Sequence, residues 1–184
     1  MTIKDLKEQL EAGLEIVCEE GGHKLKKDLT VGDLAKFKAA VSAVNDILVV
    51  AQTCAFLDEI GIPEIKDHIE QPNKNGFDVQ YSNENTKVLA ELKATIPCGK
   101  DGKYGANQKQ SIEKDLKNLS GKSEKAKKHG ITDITKYKRY MVLFDSENQR
   151  KSMSKLTDEY PEIETKYIKT NININEYIDC GWQD

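Results

Sequence analysis

Apolar residues recur at helical spacing from the first turn of the chain. Ile3, Leu6, Leu10, Leu14 and Val17 follow at steps of three and four, which predicts an amphipathic helix over about Thr2 to Glu19. Thr2 with Asp5 three residues on has the form of a capping start, and Gly21-Gly22 is a stop. The basic, polar stretch from His23 to Asp28 reads as a loop. A second, longer helix is predicted from about Val31 to Ile60, with Thr30 as its N-cap and Asp33 three on. Leu34, Phe37, Val41, Val44, Leu48, Ala51 and Ala55 form one continuous apolar stripe along it, and Gly61 and Pro63 stop it. The run Ile47 to Val50 is apolar all round, which places that part between two packed surfaces.

The pattern then changes period. Phe77, Val79 and Tyr81 alternate with polar residues, and Val88, Leu89 and Leu92 follow after the turn-rich cluster Ser82 to Thr86. Residues 76–95 therefore read as a β-hairpin. With the turn centred on Glu84-Asn85, opposed residues have numbers summing to 169, which sets Asp78 opposite Glu91. Residues 64–70 are a candidate first strand. Pro97 to Gly105 is a glycine-bearing loop, and a helix is predicted from about Asn107, as cap, to Leu119, with Ile112, Leu116 and Leu119 inward. A lysine-rich segment continues to Lys128. Tyr140 to Phe144 is the clearest buried strand, followed by a helix from about Ser146 to Tyr160 and a strand from Ile163 to Lys169. In the polar, asparagine-rich tail, Trp182 either packs back or anchors a partner. The natural packing is a single mixed sheet with helices on both faces. One domain spans 1–184: a mainly helical part (1–61), an α/β core (62–170) and a tail (171–184).

Composition narrows the classes. With 184 residues, 38% hydrophobic and 32% charged, the chain is the size of one soluble domain. A net charge of −3 gives no global signature for nucleic acid. From Lys100 to Lys128, however, nine lysines face four acids, a local excess of five positive charges, so the remainder carries −8. The four cysteines are widely spaced, no apolar leader opens the chain and no 18-residue apolar run exists, which predicts a reducing, cytoplasmic setting without membrane contact. His23, His68 and His129 lie far from any cysteine pair, against a zinc site.

The candidate chemistry lies in the hairpin. Residues i and i+2 of a strand share a face, so Glu91 and Lys93 point the same way as Asp78 opposite them, and Leu92 points away. Two opposed carboxylates repel unless a cation compensates, and Mg²⁺ takes one or two carboxylates plus phosphate oxygens and water. The triplet acid-x-lysine occurs six times in the chain. The other five read as solvated charge pairs, including Asp115-Leu116-Lys117 and the strand-like Glu164-Thr165-Lys166, which has no partner acid. Near the start of the helix after the hairpin, Gln108, Lys109 and Ser111 lie where the helix dipole favours anions, Gln110 stands three residues after the cap, and Lys100 and Lys103 lie in the loop before it.

An aspartate, a strand and then Glu-x-Lys, carried by Asp78, Glu91 and Lys93 in the context Glu64 to Leu119, resembles the PD-(D/E)XK nuclease superfamily, which includes type II restriction endonucleases. The proline that the family places before the aspartate is here Phe77. The resemblance implies a restriction-endonuclease-like αβββαβ core, here with extra N-terminal helices. It implies a Mg²⁺-dependent endonuclease, with Mn²⁺ as substitute, acting on double-stranded DNA as a homodimer beside a cognate DNA methyltransferase. Asp78, Glu91 and the Leu92 carbonyl would hold the metal, Lys93 would face the water and the scissile phosphate, and Lys100, Lys103, Lys109, Gln108 and Gln110 would meet DNA. Family members often add an acid from a preceding helix, for which Asp46 and Glu59 are candidates, with Glu64 and Glu70 behind them. A repair or junction-resolving nuclease of the same fold, or a DNA-binding module without chemistry, are the alternatives.

Overall fold

A computed structural model describes residues 1–19, 26, 28, 30–68, 76–97 and 104–182. The two N-terminal helices start where their caps predict. Thr2 and Asp5 form a reciprocal capping box before α1 (Ile3–Val17), and Thr30 and Asp33 form another before α2 (Val31–Glu59). The two helices approach closely, because a Cβ on Gly13 would lie 2.2 Å from the Ala40 Cβ.

That close approach rotates α2 away from the predicted stripe. Its buried face carries Ala40, Ala43, Ile47, Val50, Ala51 and Cys54, while Leu34, Val41, Val44 and Leu48 are exposed. Small side chains are what let two helix backbones come near, so the alanine face wins over the larger branched residues. By length and composition α2 is apolar enough to cross a membrane, but 56% of its apolar window is buried inside the protein, the position of a core helix. Its last turns carry Phe56 and Leu57 onto the sheet, followed by Ile62 and Ile65. The segment Pro63–His68 is a short 3₁₀ helix in place of the candidate strand. Residues three apart superpose in such a helix, so Ile62 and Ile65 tuck under the sheet together. The remainder of 64–70 lies outside the described residues.

Among the described residues the sheet has four strands in the order β1 (Val79–Ser82), β2 (Lys87–Lys93), β3 (Lys138–Phe144) and β4 (Glu164–Ile168). β1 is antiparallel to β2, and β2, β3 and β4 run parallel. The hairpin register is the expected one: Val79 pairs with Ala90 and Ser82 with Lys87, so partner numbers sum to 169. The turn is held by Asn83, whose Oδ1 accepts the Asn85 and Thr86 N–H groups at 2.9 and 2.6 Å. Three helices complete the order: α3 (Ala106–Leu119) and α4 (Lys125–Lys128) between β2 and β3, and α5 (Glu147–Asp158) between β3 and β4.

β2 is buried on both faces, as a central strand must be. Val88, Ala90 and Leu92 face Phe56 and Leu57 of α2. Leu89 faces the opposite layer, where Ile112, Leu116 and Leu119 of α3 meet Met153 and Leu156 of α5. A third cluster joins α1 and α2 to the tail through Trp182, which is 5% exposed. Trp182 packs back rather than reaching outward. The Met1 ammonium donates to its carbonyl at 2.8 Å, its N–H donates to the Met1 carbonyl at 3.1 Å, and Thr2 bridges Gly181.

Candidate active site

Glu91 and Lys93 occupy the last positions of β2 on the side covered by α3 and α4. The chain bends at Asp78, because Phe77 belongs to the α3–α5 layer while Val79 lies on the α2 side. A straight strand would put both on one face. The bend turns Asp78 back onto β2, where its Oδ2 accepts the Leu92 N–H at 2.7 Å. Asp78 is thus tied to the backbone between Glu91 and Lys93.

Two further residues complete the group. The Lys93 ammonium forms an ion pair with Asp115 of α3 and donates to Ser111 Oγ at 3.1 Å. The Lys125 ammonium of α4 lies 2.5 Å from Glu91 Oε1 and 4.8 Å from the centre of the Phe77 ring. Three carboxylates and two ammoniums therefore share one end of the sheet. Asp115 was read from the sequence as a solvated acid, and it is 8% exposed. Its place on the inner stripe of α3, between Ile112 and Leu116, is the signal for burial. Lys125 sat within a lysine run that gave no way to choose among its members; burial of its neighbour Ala126 in the α3–α5 layer is what aims it inward.

The electrostatics are those of a crowded acidic site. Burial pushes the Glu91 carboxyl up to about 8, Asp78 and Asp115 add to the rise, and Lys125 opposes it. Burial likewise raises Asp78, opposed by the Leu92 N–H, Lys93 and Lys125. Beside the group opens a cleft of about 680 Å³, lined by Lys114, Asp115, Asn118, Ser123, Glu124, Lys125, Lys128 and His129.

Other sequence candidates are placed elsewhere. Glu59 pairs with Lys166 at 3.3 Å, and Lys166 also pairs with Glu164 at 3.0 Å. Lys166 is the register partner of Val142, so this cluster lies on the α2 side of the sheet, the face away from Glu91. Asp46 bonds its neighbour Asn45, and Glu64 is exposed in the 3₁₀ segment. Gln108 serves the helix: its Oε1 accepts the Gly105 N–H at 3.1 Å, making Gly105 the N-cap where Asn107 was expected. Lys109 and Gln110 are exposed on the first turns of α3, and Lys109 lies 3.8 Å from Glu113. Lys100, Lys103 and Glu70 lie outside the described residues.

Among the described residues no group of three or more His, Cys, Asp or Glu side chains is arranged to hold a metal ion. Carboxylate oxygens are the donors that hard cations take. Asp78 and Glu91 offer oxygen only, with one oxygen of Asp78 spent on the Leu92 N–H and the Lys125 ammonium on Glu91. No protein-family model, no curated protein and no solved structure matches the chain.

Proposed function

We propose that the chain is a metal-dependent endonuclease that hydrolyses phosphodiester bonds of double-stranded DNA, with a restriction-endonuclease-like core and the role of a type II restriction enzyme. The observation that carries this is the nearness of Asp78 to Glu91 at the open end of the hairpin, where Asp78 accepts the Leu92 N–H between Glu91 and Lys93. Asp78, Glu91 and the Leu92 carbonyl would hold Mg²⁺ or Mn²⁺. Such an ion, when bound, lowers the pKa of a coordinated water and neutralises phosphate charge.

The protein's own groups do the positioning. Asp78 spends one oxygen on the Leu92 N–H and keeps the other for a ligand. Asp115 and Ser111 hold the Lys93 ammonium where it would face charge developing on the phosphate. Gln52 of α2 donates to the Lys93 carbonyl at 3.3 Å and fixes the end of β2 from the opposite face. Backbone phosphates would meet Lys114 and Lys128 at the rim of the cleft, together with the exposed Lys109. A homodimer is part of this proposal, and the exposed row Leu34, Val41, Val44 and Leu48 is an apolar surface for a second copy to cover. A cognate DNA methyltransferase would protect the host sites.

Incubation of the purified chain with supercoiled plasmid and Mg²⁺, followed by sequencing of the ends, tests the activity. Discrete ends that depend on Mg²⁺ or Mn²⁺ are expected, with Ca²⁺ supporting binding but little cutting. Full cutting in excess chelator would refute the metal assignment.

A further inference from the structure

Lys125 has contacts beyond its pair with Glu91. Its ammonium lies 4.8 Å from the centre of the Phe77 ring, and its backbone is anchored by a chain of bonds: the Lys125 N–H donates to Ser123 Oγ at 3.3 Å, which donates to Asn118 Oδ1 at 2.8 Å. The side chain is therefore aimed: its ammonium pairs with Glu91, and Lys125 is also one of the residues that line the α3–α4 cleft.

The charges point the same way. Metal binding to Asp78 and Glu91 requires both to be ionised, and in that state the three acids with Lys93 and Lys125 leave one negative charge in the group. One divalent ion and one phosphodiester bring that to zero. A second divalent ion would leave the site positive by two. The group balances with a single metal because two lysines are already present.

We propose that Lys125 is a second catalytic cation, which pairs with Glu91 while no metal is bound and moves to a non-bridging phosphate oxygen of the substrate strand when Glu91 ligates the metal. This rests on the nuclease proposal. No bond is made or broken by Lys125: its ammonium exchanges one oxygen partner for another, across a site already 2.5 Å from Glu91. The strand being cut then runs through the cleft, with Lys128 and Lys114 on the neighbouring phosphates.

Two readouts on the full chain test it: Mn²⁺ affinity, from the spectrum of free Mn²⁺ during titration, and single-turnover cleavage of plasmid at saturating Mn²⁺. Lys125→Met keeps an unbranched side chain of similar length and removes the charge. Mn²⁺ should bind about tenfold tighter, because no ammonium has to leave Glu91. Cleavage should fall about a hundredfold, as for loss of one electrostatic contact to the transition state. Wild-type chain should take up one Mn²⁺. Tighter Mn²⁺ binding with unchanged cleavage would make Lys125 a competitor of the metal only, and weaker binding with a lowered melting temperature would make it a clamp; either overturns the proposal. If Lys125→Met does not fold, Lys125→Gln gives the same two readouts. A wild-type chain that neither binds Mn²⁺ nor cuts would instead remove the nuclease proposal itself.

Discussion

The Lys125 ammonium lies 2.5 Å from the Glu91 carboxylate, joining α4 to β2 across 34 residues of sequence. It is one of two such ties. Lys93 reaches from β2 to Asp115 on α3, so each lysine is bound to an acid from another element. The site is thereby part of what packs the α3–α4 layer onto the sheet.

The first consequence concerns pH. The Glu91 carboxyl is raised from 4.5 to about 8, chiefly by burial. A raised carboxyl favours the folded state below its unfolded pKa, and that stability is lost as pH rises through the folded value. In chelator, stability should therefore decline between about pH 4.5 and 8, by at most ~1.4 kcal/mol per unit from this one proton. Glu91→Gln should remove its share of the slope and melt higher than wild type at pH 8. Thermal melts of both chains from pH 5 to 9 measure this; parallel curves would show that Glu91 does not titrate in this range.

Lys93→Ala should leave Asp115 buried without its partner. Removing one member of a buried pair is costly, but Lys93 is about a quarter exposed, so a loss of about 1–2 kcal/mol is expected. Adding Asp115→Leu should recover most of it. Denaturant melts of the single and double variants give the coupling directly.

Gly13→Ala would ordinarily favour a helix by up to ~1 kcal/mol. Here the new Cβ would meet Ala40 Cβ at 2.2 Å, and overpacking at about 1–3 kcal/mol should win. The variant should melt lower than wild type, and Ala40→Gly in the same chain should restore it. A Gly13→Ala chain that melts higher would mean that α1 and α2 are not this close.

Val44→Glu places a charge in the exposed row of α2, away from the buried alanine face. The fold should hold. If that row joins two copies, sedimentation should shift from the two-chain to the one-chain mass. A wild-type chain that sediments as a monomer would count against the homodimer.

The hairpin was readable in advance because its turn chemistry is local: Asn83 fixes the loop, and the loop fixes the register from Val79 to Lys87, while the bend that carries Asp78 onto the Leu92 N–H was not readable. The helix starts were readable for the same reason, since Thr2 and Thr30 cap within three residues. What depended on long-range packing was not. The buried face of α2 was decided by contact with Gly13, a residue of another helix. Both candidate rows on α2 have helical spacing, so periodicity alone could not choose between them. Asp115 and Lys125 acquired partners only when α3 and α4 closed over β2, and Glu59 went to Lys166 because α2 covers the other face.

Single-turnover cleavage of plasmid DNA by wild-type, Glu91→Gln and Lys117→Ala chains in saturating Mg²⁺ bears most directly on the proposed active site. Gln keeps the shape of Glu91 and removes a metal-binding charge, whereas Lys117 is exposed on α3 within an identical-looking triplet. Wild type and Lys117→Ala should cut at the same rate, and Glu91→Gln should be slower by about a hundredfold or more. Near-wild-type cleavage by Glu91→Gln, or equal loss in Lys117→Ala, would contradict an active site built on this hairpin.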